Sequence, residues 1–152
     1  MKASFASSVH ANLQKYDATK FIDGKKDTFF ASDGNSEMNP WIQVELKEIG
    51  VVDRITIFNR KDCCGERAKN MRVTVGFTKF TKGMNPLDLP KDEICATYKG
   101  PGKNGETISI DCKAAMRGQY VSFQLVQDTK AILNLAEIEI YGHSGNIFKH
   151  FK

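Results

Sequence analysis

From Trp41 to Tyr141 apolar residues recur at every second position over short runs, and those runs are rich in valine, isoleucine, threonine and phenylalanine. Period-two alternation of β-branched and aromatic side chains is the pattern of half-buried strands. It predicts strands over Ile42–Leu46, Arg54–Phe58, Met71–Phe77, Glu93–Tyr98, Thr107–Cys112, Gln119–Val126 and Leu135–Tyr141. Turn clusters separate them at intervals typical of an antiparallel sandwich, so the fold class expected is all-β. The first forty residues are more polar and carry the turn Ile22-Asp23-Gly24 ahead of Lys25-Lys26-Asp27-Thr28-Phe29-Phe30, which reads as an ordered surface loop. After Gly142 the alternation fades, and the domain is drawn over residues 1–142 with 143–152 as a frayed basic, aromatic tail.

Composition narrows the function classes. A chain of 152 residues supports one core, and with 41% hydrophobic and 26% charged residues it is neither disordered in composition nor membrane-like. No apolar run approaches the roughly eighteen residues of a bilayer-spanning helix. The net charge of +4 is spread along the chain without a basic block, which gives no support to nucleic acid as a partner. The start, Met1-Lys2-Ala3-Ser4-Phe5, lacks the apolar stretch of a secretory leader, so an exported protein would reach this form by processing.

The four cysteines, Cys63, Cys64, Cys95 and Cys112, contain no C-x-x-C pair and allow three connectivities. Cys95 and Cys112 flank the turn-rich Lys99-Gly100-Pro101-Gly102-Lys103-Asn104-Gly105, as a staple across the base of a loop would, and pairing them leaves Cys63 with Cys64. Adjacent Cα atoms lie about 3.8 Å apart, shorter than the usual disulfide range. Free thiols in a reducing cell, or a metal site borrowing His10 or His143, are the competing reading; oxidation places the chain outside the cell.

The densest chemistry lies in Asn59-Arg60-Lys61-Asp62-Cys63-Cys64-Gly65-Glu66-Arg67, directly after the strand ending at Phe58. Loops on rigid sheets are where binding residues concentrate. Two arginines bracketing a carboxylate often form only a solvated surface network, but a vicinal disulfide between them would stiffen the loop and preorganise it. Guanidinium forks suit neighbouring hydroxyls, a carboxylate or a phosphate, with Asp62 fixing an arginine or accepting from a hydroxyl.

This stretch closely resembles the signature of the F-type lectins, the eel fucolectin family, as do Asn35-Ser36-Glu37-Met38-Asn39-Pro40-Trp41 and Ala136-Glu137-Ile138-Glu139-Ile140-Tyr141-Gly142. Cys95 and Cys112 also resemble a family disulfide pair. The resemblance runs from about Asp23 to Gly142 and implies an eight-stranded antiparallel jelly-roll β-sandwich, discoidin-like in fold, that binds L-fucose and carries a structural Ca2+. In that family the sugar motif is His, twenty-six residues, Arg, any residue, Asp, four residues, Arg or Lys. Its last three positions fall on Arg60, Asp62 and Arg67, while its first falls on Asp33. The resemblance further implies that Cys63 and Cys64 pack on the sugar face and that Phe30, or else Phe29, lines a pocket for the sugar's methyl group. For calcium it implies side chains of Asp23 and Glu137, carbonyls of Lys20, Lys25 and Ala136, and a loop hydroxyl from Ser32 or Thr28. His10 reads as a surface histidine, with folding back into the site as the alternative.

The function expected is therefore a secreted, non-catalytic lectin for terminal fucose on glycans or glycoproteins of microbes or host cells, serving adhesion or innate immunity. It would meet membranes only through glycans, and a homo-oligomer would add avidity. The alternative is a discoidin-like adhesion or membrane-interaction module with fucose specificity altered or lost through Asp33. Hydrolysis by Asp33 and Asp62 is disfavoured, because a general acid needs a raised pKa and nearby arginines lower it.

Overall fold

The computed structural model describes residues 1–152 and realises the alternation as nine strands: β1 (Ala3–Ala6), β2 (Phe30–Ala31), β3 (Trp41–Phe58), β4 (Met71–Gly76), β5 (Ile94–Tyr98), β6 (Thr107–Leu125), β7 (Asn134–Leu135), β8 (Glu137–Ser144) and β9 (Ile147–Phe151). The remaining regular structure is short 3-10 turns. Strands predicted separately are joined, Ile42–Leu46 with Arg54–Phe58 in β3 and Thr107–Cys112 with Gln119–Val126 in β6. These two long strands pair antiparallel from end to end, with register shifts between Glu45 and Gly50 and between Val52 and Arg54. Extra residues on one strand of a pair bend it.

The hydrogen-bonded order β5-β4-β6-β3-β8-β9, with β1 added to β3, divides at that bend. β1 and β4 pair with Trp41-side residues of β3 and the C-terminal half of β6, and β5 extends that half through β4. β8 joins β3 beyond the bend and carries β9. Ile42, Val44 and Leu46 from the first half meet Ile55, Ile57, Ile138 and Ile140 from the second in one cluster of 24 buried residues. The domain is thus an antiparallel β-sandwich, each fully buried aliphatic side chain contributing about 1.5–3 kcal/mol. The Cys95–Cys112 disulfide ties β5 to the bulge of β6 between Asp111 and Met116, where the strand bends from one half to the other. A loop closed over a separation of 17 residues is worth about 3 kcal/mol.

The segment after Gly142 is corrected from tail to hairpin. β8 continues to Ser144, Gly145-Asn146 makes a two-residue turn, and β9 returns antiparallel with Ser144 opposite Ile147. Phe151 is 6% exposed and joins the main core, its ring lying against Gly50. Replacing it with alanine leaves a cavity. The variant Phe151→Ala should lose about 3 kcal/mol of unfolding free energy in a urea titration, whereas a frayed terminus would lose nothing measurable.

Candidate functional site

β3 leaves the sandwich at Phe58, and the next residue sets the course of the loop beyond it. Asn59 is 2% exposed; its Nδ2 donates to the carbonyls of Gly65 (2.9 Å) and Lys103 (3.0 Å), and its Oδ1 accepts from the Arg60 N–H (3.0 Å). The neighbouring loop answers, with Asn104 Oδ1 accepting from the Gly65 N–H at 2.8 Å and the Arg60 carbonyl accepting from the Gly105 N–H at 2.9 Å. Gly65 must be glycine, because a Cβ there would lie 2.4 Å from the Lys103 carbonyl carbon. Cys63 and Cys64 are bonded to each other with Cα atoms 3.7 Å apart, and Cys64 adopts φ 66°, a left-handed turn that brings Gly65 inward.

This frame aims two arginines into one cleft. Arg60 donates from Nε and Nη2 to the two carboxylate oxygens of Asp62, at 2.7 and 3.0 Å, and its guanidinium lies 3.9 Å over the Phe29 ring. The Arg60 hydrogen bonds hold the Asp62 carboxyl below its ordinary range, so Asp62 stays ionised and keeps the fork in place. Arg67 Nη1 donates at 3.0 Å to Oδ1 of Asn134, a fully buried residue of the short strand β7. Between them is a cleft of about 210 Å³ lined by Arg60, Arg67, Phe29, Tyr16, His10 and Ile132, with Ala31, Ser32 and Gly34 below. The Tyr16 and Phe29 rings are 5.3 Å apart. Rigid donors opposite aromatic walls fit a small hydroxyl-bearing molecule with one apolar side.

Arg60 and Arg67 line one cleft, and Asp62, itself outside the lining, is paired to Arg60. Cys63 and Cys64 belong to the loop carrying the arginines but do not line the cleft. Phe30 is corrected: it is fully buried in the core, while Phe29, directly before β2, faces the cleft with Ala31, because alternate residues of an extended chain share a side. Asp33 is corrected too. Its Oδ1 accepts from the Asn35 N–H at 3.0 Å, closing a turn, and the residue is not part of the lining.

His10, expected on the surface, takes a place in the cleft instead, 5.2 Å from the Tyr16 ring and directly over Gly34. Tyr16 and Asn134 escape sequence reasoning, since they carry no periodic signal and lie far along the chain from the arginines.

A second cluster lies where the loop after Ile22 meets β8. Glu137, 6% exposed, accepts from the Gly24 N–H (2.6 Å) and the Ile138 N–H (3.0 Å). Burial pushes its carboxyl up to about 7 despite those two amides, and the nearby Asp23 carboxylate adds to the rise. Asp23 accepts from the Lys25 N–H and, at 2.5 Å, from the Thr28 hydroxyl. Lys20 lies within the preceding 3-10 segment, Ala18–Ile22, and Ala136 stands directly before Glu137. Ser32 is not in this cluster: its Oγ accepts from the Leu133 N–H at 2.8 Å and it lies under the arginine cleft, leaving Thr28 as the hydroxyl beside Asp23.

Comparison with known proteins agrees with both fold and signature. Residues 20–123 match the F5/F8 type C family model described as a NedA-like, galactose-binding domain. The chain is 32% identical to the fucolectin of Anguilla anguilla over 128 residues, 82% of this chain and 75% of the relative, and 32% identical to fucolectin-1 of Anguilla japonica, covering 78% of this chain and 64% of the relative. The crystal structure of a serum fucolectin from striped bass, Morone saxatilis, superposes with a TM-score of 0.76 at 26% identity, over 93% of this chain and 46% of that one. The chain thus spans less than half of the bass protein and under two thirds of the Anguilla japonica one.

The raised carboxyl of Glu137 has a pH signature. Its folded value of about 7 exceeds the ordinary 4.5, so the folded state holds a proton that the unfolded chain has released across that window. Stability from this group is full below about pH 4.5 and is lost as the pH rises through about 7. In chelator-containing buffer, thermal melts should show the wild type losing stability between pH 5 and 7.5 relative to Glu137→Gln, and parallel curves would refute the shift.

Proposed function

Because the chain belongs to the F-type lectin, or fucolectin, family, we propose that its cleft binds terminal L-fucose on glycans and performs no catalysis. The observation that carries this reading is the convergence of Arg60 and Arg67 on one small aromatic-walled cleft, each already held by a partner of its own. Arg60 keeps its Nη1 donors for a ligand after pairing with Asp62, and Arg67 keeps Nε and Nη2 after bonding Asn134. Donors fixed in advance lose little entropy when a hydroxyl arrives, and a hydrogen bond to a charged group is worth about 1.5–3 kcal/mol. Phe29 and Tyr16 give an apolar wall against which a deoxy sugar's methyl group is worth about 0.8 kcal/mol. Asp62, held ionised by Arg60, is unsuited to act as a general acid, which supports binding without hydrolysis.

Calcium is proposed as the structural ion at the Asp23–Glu137 cluster. Neither carboxylate has a basic partner in an ion pair, Glu137 is raised in pKa by its burial and further by Asp23 beside it, and a hydroxyl from Thr28 adjoins them. Calcium accepts such hard oxygen donors, and backbone carbonyls complete its six to eight. Asp23 and Glu137 would supply side-chain oxygens and Lys20, Lys25 and Ala136 carbonyls, neutralising the carboxylate repulsion and fixing the loop that continues into Phe29. Two disulfides and no free cysteine accord with a secreted protein, and assembly into a homo-oligomer would raise the avidity of a small cleft.

Calorimetric titration of L-fucose, with mannose as control, should show saturable binding in the wild type. Arg60→Ala and Arg67→Ala should each weaken it at least tenfold with little change in melting temperature; unchanged affinity in both would overturn the site. Adding calcium to chelated protein should raise the melting temperature by several degrees, the size of a shift of about 1–2 kcal/mol in a domain this large. Asp23→Ala should erase that rise.

A further inference from the structure

We infer that Ser7, Ser8 and Glu37 form a clasp that makes the N-terminal arm part of the ligand site, seating His10 over Gly34 as the sugar's third polar partner. The inference rests on the proposal that the cleft binds a sugar, and it names a positioning residue, Glu37, together with a specificity residue, His10. β1 pairs with β3 up to Ala6 opposite Ile42, and there the arm leaves the sheet. Ser7 donates to Glu37 Oε1 at 2.7 Å and accepts from the Trp41 N–H at 3.0 Å. Ser8 donates to the same Glu37 oxygen and accepts from the Asp33 N–H at 2.9 Å. One carboxylate oxygen thus gathers two consecutive hydroxyls, and the second of them also grips the backbone of the loop that carries Gly34.

Two residues further on, the chain tightens into a 3-10 turn at His10–Asn12, with left-handed φ of 51° at Ala11 and 54° at Asn12. The turn carries the imidazole into the cleft. It fits because position 34 lacks a side chain: a Cβ there would lie 2.3 Å from His10 Nδ1 and 2.4 Å from Cε1. The arm therefore reaches the arginines only through three coincident features, the two serines, the acceptor at Glu37 and the bare backbone at Gly34.

The imidazole adds what the arginines lack. Guanidinium groups only donate, whereas a neutral imidazole offers one donor and one acceptor. A sugar hydroxyl that accepts from Arg60 or Arg67 still has a proton to place, and the imidazole nitrogen can take it. Ligands presenting two neighbouring hydroxyls to this corner are favoured over those presenting one.

The test is a pair of double-mutant cycles read by L-fucose calorimetry. His10→Ala should weaken binding about three- to tenfold, the worth of one neutral hydrogen bond, with the melting temperature unchanged. Gly34→Ala displaces the ring without deleting it and should cause the same loss in the wild type, yet none when His10 is already alanine. Glu37→Ala should behave like Gly34→Ala, and Glu37→Gln, whose amide oxygen still accepts both hydroxyls, should restore binding. Wild-type affinity in His10→Ala, or losses from Gly34→Ala and His10→Ala that simply add, would overturn the clasp while leaving the lectin reading intact. A wild type silent toward L-fucose would overturn both.

Discussion

The cleft end of the domain depends on one buried amide. Asn59 stands where the last core residues of β3 give way to loop, and it spends its carbonyl and both of its amide hydrogens on three backbone groups, from Arg60, Gly65 and Lys103. An unpartnered buried polar group costs about 1–3 kcal/mol. Asn59 is therefore tolerable in its place only if both loops are folded, and each loop closes only with Asn59 to receive it. The register of β3 in the sandwich core is transmitted one residue further by side-chain hydrogen bonds, and Arg60 inherits its position from Ile55 and Ile57 packed in the core.

The same logic explains why the vicinal disulfide accompanies the arginines without lining their cleft. Cys63 and Cys64 sit between Asp62, which orients Arg60, and Gly65, which is pinned to Asn104. Bonding neighbours removes freedom from the two residues that separate these anchors. Stiffness in the loop and apolar surface for the ligand are thus supplied by different residues, the second by Phe29 and Tyr16.

The legibility of the chain tracked the range of the physics involved. The sandwich was legible because alternation is local and persists over whole strands, and the arginine loop was legible because its residues are contiguous. The fusion of strands was not, since the bend lies in the polar Lys47-Glu48 stretch that period-two reading treats as a gap. β9 was lost because an edge strand buries little: Phe151 is inside, while Ile147 and Phe148 are 64% and 61% exposed. Phe29 and Phe30 differ by one position, and a one-residue choice in a strand exchanges core for cleft. His10 and Asn134 approach Arg60 and Arg67 only through the topology, and no spacing rule connects them.

At Arg60 the electrostatics favour a neutral hydroxyl over an anion. Arg60 is already neutralised by a bidentate carboxylate and stacked on Phe29, so an incoming phosphate or carboxylate would meet Asp62 as a competitor for the same fork. A neutral hydroxyl needs one donor and displaces no ion pair; it takes the Nη1 hydrogens that Asp62 leaves free. The side chain of Asp62 is 60% exposed and that of Arg60 17%, so the carboxylate remains solvated while the guanidinium is shielded against the aromatic wall. The pair therefore avoids much of the desolvation cost of a buried ion pair while still presenting a fixed donor. The arginine half of the cleft is rigid before any ligand arrives. The histidine half is held by Ser7 and Ser8, which donate to one Glu37 oxygen and accept from the Trp41 and Asp33 N–H groups.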